Sequence, residues 1–148
     1  MTREEFIKKL DEKGYSYKIQ GDKIIVNRKG TVSLNALTSL PPGVEFKNGG
    51  AVYLDALTSI PPGVEFRNNG DVNLNSLTSL PPGVVFSNRA HVYLRALTSL
   101  PPGVEIKNRW SVNLDVLIGG WFDEWKGNIE GIDSKRLLNK MIKDGIFI

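Results

Sequence analysis

The sequence predicts a mainly β fold: a parallel β-solenoid of 20-residue coils, with an α/β cap at the N-terminus and a helical cap at the C-terminus. A 20-residue pattern recurs four times without insertion or deletion, which is the signature of a repeat architecture. When the units are aligned, each repeat position forms a column of equivalent residues. Six of these columns are apolar in all four units. A Pro-Pro-Gly segment interrupts every unit, so no helix of useful length fits. The units are 31–50, 51–70, 71–90 and 91–110, followed by a partial unit at 111–117.

Each unit contains two short strand patterns separated by two bends. In the first unit, residues 32–34 and 44–46 alternate apolar and polar side chains, as half-buried strands do. The Leu-Thr-Ser-Leu-Pro-Pro-Gly segment between them cannot continue a strand, because proline lacks an N–H donor and has a fixed φ. The Lys-Asn-Gly-Gly segment makes the second bend, where Asn48 and its equivalents are expected to bind backbone groups. Stacked coils bury the apolar columns that one coil leaves exposed.

Residues 1–30 predict a cap made of a helix and a hairpin. Thr2 and Glu5 have the spacing of a capping box at the start of a helix. Gly14 fits the end of that helix. The segments Tyr15–Ile19 and Lys23–Val26 are joined by a turn at Gly21-Asp22. This arrangement is typical of a β-hairpin, which would lead into the first coil.

Residues 118–148 predict a second cap, because an open solenoid end exposes apolar side chains and strand edges. Trp121, Phe122 and Trp125 are large enough to plug the last coil. A helix is expected from about Ser134 to about Asp144, with its apolar side facing the coils.

Composition removes several classes of function. The chain has no cysteine, which excludes disulfides, thiol nucleophiles and Cys-ligated metals, and it has one histidine, His91. His91 occupies a variable column and is expected to be an ordinary surface residue. We expect no cofactor and no metal. No apolar run approaches the roughly 20 residues of a membrane span, and the N-terminus lacks a signal-peptide core, so we expect a cytoplasmic protein with no membrane partner.

The chain is also expected not to be an enzyme. No phosphate-binding glycine loop occurs, because the glycines recur with the repeat and belong to its turns. The acidic residues Asp123, Glu124, Glu130 and Asp133 lie near the tryptophans of the C-terminal cap. They leave open one alternative, a carbohydrate-binding or glycoside-acting protein that uses the Trp-rich cap.

Positive charge is concentrated at the N-terminus. Residues 1–30 contain eight basic and five acidic residues, residues 31–118 contain six of each, and residues 119–148 contain five of each. A second alternative is therefore a nucleic-acid-binding protein that uses this basic cap together with the Arg/Lys edge of the turns.

Binding to a protein is the favoured function, because the columns that stacking does not explain carry recognition residues. The expected outward strand face consists of two columns and includes Tyr53, Asp55, Asn73, Asn75, Tyr93 and Arg95. A second patch on the turn edge consists of Arg89, Arg109 and Trp110. The protein is expected to be a monomer or a weak homo-oligomer.

The L-T-S-L-P-P-G segment resembles the signature of leucine-rich repeats in bacterial secreted effectors. With the G-G turn and the x-V-x-L strand it resembles more closely the short leucine-rich-repeat-like β-solenoids of phage and bacterial proteins, over residues 31–117. This resemblance implies a phage or mobile-element accessory protein with a host-directed role. The V-x-L-x-A-L segment is two residues shorter than the L-x-L-x-x-N-x-L segment of a standard leucine-rich repeat and lacks its Asn, so a straighter stack is expected. The effectors' ubiquitin-ligase activity needs a cysteine and is not carried over.

Overall fold

A computed structural model describes residues 1–114, 127–129, 139–140 and 142–144, and shows a mainly β, parallel solenoid of about four coils. Along the chain the elements are α1 (Arg3–Glu12), β1 (Tyr17–Gln20), β2 (Lys23–Val26), β3 (Val32–Ser33), β4 (Val44–Phe46), β5 (Val52–Tyr53), β6 (Glu65–Phe66), β7 (Val72–Asn73), β8 (Val85–Phe86), β9 (Val92–Tyr93), β10 (Glu105–Ile106), β11 (Val112–Leu114) and β12 (Gly127–Ile129).

Within the described residues the strands form two six-stranded sheets. The first sheet has the order β1-β2-β4-β6-β8-β10, and the second has the order β12-β11-β9-β7-β5-β3. Strands of successive units pair in parallel with a register of 20 residues, so that Phe46 lies beside Phe66 and Val52 beside Val72. The predicted coil length and stacking direction are therefore confirmed.

The six apolar columns form the core between the two sheets. Every member of these columns in the four full units is buried. The rings of Phe46, Phe66 and Phe86 stack face to face, with centroids 5.3 and 5.2 Å apart. Like residues therefore pack over like residues along the solenoid, as the repeat pattern predicts.

The two bends of each coil are held by different means. Gly43, after the two prolines, has φ +81°, and its three equivalents also take the left-handed conformation that glycine tolerates best. At the other bend the Asn48 side chain is fully buried, and its Nδ2 donates to the carbonyl oxygens of Gly30, Gly50 and Ala51 at 3.0–3.1 Å. The column of asparagines therefore has the predicted structural role.

The N-terminal helix and hairpin agree with the sequence prediction. Thr2 and Glu5 form the complete capping box of α1, and Gly14 follows the helix with φ +68°. The hairpin strands β1 and β2 are antiparallel, and β2 then pairs in parallel with β4. The Tyr15 hydroxyl accepts a hydrogen bond from the Ser33 N–H at 3.3 Å, at the open edge of the second sheet.

The C-terminal end is described in part. Strand β12 pairs antiparallel with β11 and so extends the second sheet. Residues 139–140 and 142–143 are helical, and Ile142 is buried in the core. The expected aromatic plug of Trp121, Phe122 and Trp125 lies outside the described residues, as does the expected start of the helix. No helix in the described part of the chain is long and apolar enough to cross a membrane.

Candidate functional site

The outward column of the second sheet consists of one residue from each coil. In register these residues are Ser33, Tyr53, Asn73, Tyr93 and Asn113, and all of them are half-buried. Asn73 separates the two tyrosines, so the strands of Tyr53 and Tyr93 lie about 10 Å apart. The column therefore presents tyrosine rings, asparagine amides and one serine in a regular register.

The second predicted column does not lie on the strands. Strand β5 ends at Tyr53, and the next residues turn, with the Leu57 N–H donating to the Leu54 carbonyl at 3.1 Å. Asp55, Asn75 and Arg95 therefore lie in turns at the border of the strand face. The Asp55 carboxylate accepts the Asn75 N–H at 3.3 Å and so links successive coils.

Four side chains of the fourth unit form a continuous group on the outside of the solenoid. The Trp110 and His91 rings make an edge contact with centroids 5.2 Å apart, and the His91 and Tyr93 centroids are 6.0 Å apart. The Arg95 guanidinium lies 5.7 Å from the centroid of the Tyr93 ring. We name this group, Trp110, His91, Tyr93 and Arg95, the fourth-coil cluster. It joins the strand face to the turn patch that the sequence analysis treated as separate.

Trp110 stands at a repeat position that is otherwise occupied by small residues. The first two units have Gly50 and Gly70 there, and the third has Ala90. A Cβ on Gly50 would lie 2.8 Å from the Thr31 nitrogen, so the first of these turns has no room for a side chain. Trp110 is 55% exposed, although a tryptophan normally buries most of its ring. Its position thus departs from both the repeat pattern and the usual burial of its residue type.

His91 is the member of the cluster to which the sequence pattern did not point. It was expected to be an ordinary surface histidine, but it is half-buried and contacts both aromatic neighbours of the cluster. Its backbone N–H donates to the Asp71 carboxylate at 2.9 Å, and its ring Nδ1 lies 2.5 Å from the Ser111 hydroxyl. The Ser111 contact fixes the ring, which lies against both Tyr93 and Trp110. The sequence feature that could have indicated this contact is position: His91 is the first residue of the repeat unit whose last residue is Trp110.

Arg89 and Arg109 occupy equivalent positions in neighbouring turns next to the cluster. The backbone N–H of each donates to the backbone carbonyl of an asparagine in the preceding coil, Asn68 or Asn88, at 3.0 Å. Both side chains are exposed, and neither forms an ion pair within the part of the chain that the structure describes.

The other basic residues of the turn edge are neutralised on the outside of the first sheet. Glu45, which is 5% exposed, lies 3.4 Å from Lys47 and 3.3 Å from Arg67. Arg67 also contacts Glu65 at 3.0 Å, and this hydrogen bond raises the pKa of Arg67 above its ordinary value. Lys107 pairs with Glu105. The turn edge is therefore not a continuous positive strip.

The described residues contain no group of three or more His, Cys, Asp or Glu side chains that could hold a metal ion. The carboxylates Asp123, Glu124, Glu130 and Asp133 of the alternative glycoside site lie outside the described ranges, as do Trp121 and Trp125.

The geometry defines a class, a β-solenoid repeat protein with about 20 residues per coil. No family model matches the chain, and no match was found among curated proteins or among solved structures.

Proposed function

We propose that this chain is a non-enzymatic binding scaffold that holds a protein partner on the outside of the second sheet, centred on the fourth-coil cluster. The observation that carries the proposal is the exposure of Trp110 at a position where other units have glycine or alanine. Folding gains little from an indole that stays in water, whereas exposed Trp, Tyr and Arg are the residues that dominate binding energies at protein interfaces.

The solenoid supports this role because it makes the surface rigid before binding. The apolar columns are buried throughout the four units, and the outward residues are fixed by a parallel register. A preorganised surface loses less conformational entropy when a partner binds. Tyr53 and Asn73 extend the surface along the column, and Asp55 and Asn75 border it.

A protein partner is favoured over a nucleic acid by the distribution of charge. A nucleic acid is bound by several cations along a track, but Lys47, Arg67 and Lys107 of the turn edge face carboxylates. Aromatic and arginine side chains grouped at one end fit a compact protein contact better.

The repeat signature supports a finer placement by analogy. The leucine-rich-repeat-like segment L-T-S-L-P-P-G fits a cytoplasmic accessory protein of a phage or mobile element, directed at a host protein. The partner is accordingly sought in a lysate of the host cells.

The test is a binding experiment with the immobilised chain and a double variant, Trp110→Gly with Tyr93→Ser. Both substitutions install residues that the chain itself has at equivalent positions, Gly50 and Ser33. Ile19→Ser is the control, because Ile19 is also an exposed apolar residue but lies in the N-terminal hairpin.

We expect one protein to bind saturably to the wild type and to Ile19→Ser, to bind at least about tenfold more weakly to the double variant, and to remain bound after nuclease treatment. Equal binding to a folded double variant contradicts the proposal. Release by nuclease favours the nucleic-acid alternative instead.

A further inference from the structure

We infer that the partner segment bound at this surface is acidic, and that Arg89 and Arg109 receive its carboxylates beside Trp110. This inference rests on the proposed function and adds the chemistry of the partner. It is carried by a pair of stacked like charges that the described part of the chain does not neutralise.

Arg89 and Arg109 lie one coil apart, so their backbones are about 5 Å from each other. Two guanidinium groups carry like charges, so neither can serve as the other's counter-ion, and salt screens the repulsion between such exposed charges. The pair therefore gains no ion-pair stabilisation from the described part of the chain.

The fold does not require arginine at this position. The same position is Gly49 in the first unit and Asn69 in the second. Where the chain stacks like charges on the first sheet, it supplies a counter-ion: Glu45 and Glu65 are neighbours in register, and Arg67 contacts both. No described carboxylate plays that part for the arginine pair, so the missing counter-ion is expected from a partner.

Of the four full units, only the fourth has a net positive charge. The first unit has one acidic and one basic residue, the second has two acidic and one basic, the third has one of each, and the fourth has one acidic and three basic. The fourth unit therefore carries a net charge of +2 next to the three aromatic rings of the cluster.

An acidic protein segment fits this surface better than a polyanionic strand. A guanidinium binds a carboxylate through two parallel hydrogen bonds, and two neighbouring arginines can hold two carboxylates of one peptide. The exposed indole of Trp110 offers an apolar contact for a neighbouring side chain of the same peptide. A nucleic acid that continued along the stack would meet the second unit, whose net charge is −1.

The test measures binding of a fluorescein-labelled random copolymer of glutamate and tyrosine by fluorescence anisotropy. The variant is Arg89→Asn with Arg109→Asn, because asparagine is the chain's own residue at position 69. The control is Lys8→Gln with Lys18→Gln, which removes two exposed positive charges from the N-terminal cap and leaves the same net charge as the variant. Oligothymidylate of the same charge is the comparison probe.

We expect the copolymer to bind the wild type and the lysine control within twofold of each other, and the arginine variant at least about tenfold more weakly. Oligothymidylate should bind the wild type more weakly than the copolymer. Equal loss in both double variants, or tighter binding of oligothymidylate, overturns the inference.

The two proposals fail in different ways. If the protein captured from the lysate depends on Trp110 but binds the arginine variant as tightly as the wild type, the binding surface stands and the acidic partner is wrong. If the captured protein does not depend on Trp110, the proposed function itself is wrong.

Discussion

The side-chain amide of Asn139 hydrogen-bonds both backbone groups of Ile106. Its Oδ1 accepts the Ile106 N–H at 2.8 Å, and its Nδ2 donates to the Ile106 carbonyl at 2.7 Å. Ile106 lies in β10, the terminal strand of the first sheet. The amide therefore takes the place of the peptide group of a next strand and closes an edge on which another chain could pair.

Replacement of Asn139 tests this closure. Asn139→Ala leaves both Ile106 groups without their partner, and we expect the free energy of unfolding to fall by about 1–3 kcal/mol. Urea denaturation measures the loss, and sedimentation reports any self-association through the opened edge. Lys140→Ala, one residue further along the same helix and exposed, is the control. Equal unfolding midpoints for the two variants would mean that the amide does not stabilise the edge.

Leu74 tests the interior of the solenoid. Its side chain is fully buried in the third unit, so Leu74→Asp places a carboxylate among apolar side chains and should unfold the chain. Ser79→Asp adds the same charge to an exposed position of the same unit and should leave the circular dichroism spectrum unchanged. A cooperative thermal transition of Leu74→Asp near that of Ser79→Asp would place this column outside the core.

The buried asparagine column is tested at Asn68. Its Nδ2 donates to the carbonyl oxygens of Gly50, Gly70 and Asp71 at 3.0–3.2 Å. Asn68→Ala leaves these carbonyls without that donor, and we expect a loss of about 1–3 kcal/mol or more in unfolding free energy. Asn69→Ala changes the exposed neighbouring asparagine and should alter stability by less than about 0.5 kcal/mol. Chemical denaturation measures the unfolding free energy of both variants. Equal values would show that the buried Asn68 amide does not stabilise the turn.

The two charge stacks should respond in opposite ways to removal of an arginine. Arg67→Ala leaves the stacked carboxylates of Glu45 and Glu65 without their shared cation, and stability should fall by up to about 1 kcal/mol. Arg109→Ala relieves the repulsion of Arg89 and should leave stability unchanged or slightly higher. Thermal melts at low and high salt check this, because both effects should shrink with added salt. A loss of stability in Arg109→Ala equal to that in Arg67→Ala would contradict the account of the arginine pair.

The fold was predictable because every repeat unit carries the same apolar, proline and glycine positions. Apolar alternation identified the buried columns, and the position of proline and glycine identified one bend. The strand length was not predictable in the same way: Leu54 and Leu74 continue the apolar alternation, but the strands end one residue earlier, at Tyr53 and Asn73. The apolar pattern indicates which side chains are buried, and buried side chains continue into the turn after the strand pairing ends.

The candidate site was predictable in composition but not in arrangement. Tyr93, Arg95 and Trp110 were each identifiable from the repeat alignment as candidate binding residues. The contact of Tyr93 and Trp110 through His91 depends on how the end of a coil lies against its beginning, 19 residues earlier in the chain. The repeat alignment gives the column of each residue but not which side chains of different columns touch.

Site-specific photocrosslinking tests most directly whether the fourth-coil cluster contacts a protein. Trp110→p-benzoylphenylalanine places the reactive group at the centre of the proposed surface, and Ile19→p-benzoylphenylalanine places it on the N-terminal hairpin. After irradiation in host lysate, we predict one discrete protein adduct at position 110 that excess wild-type chain suppresses and excess Trp110→Gly does not, with no such adduct at position 19. The absence of an adduct at position 110, or the same adduct at both positions, would contradict the proposal.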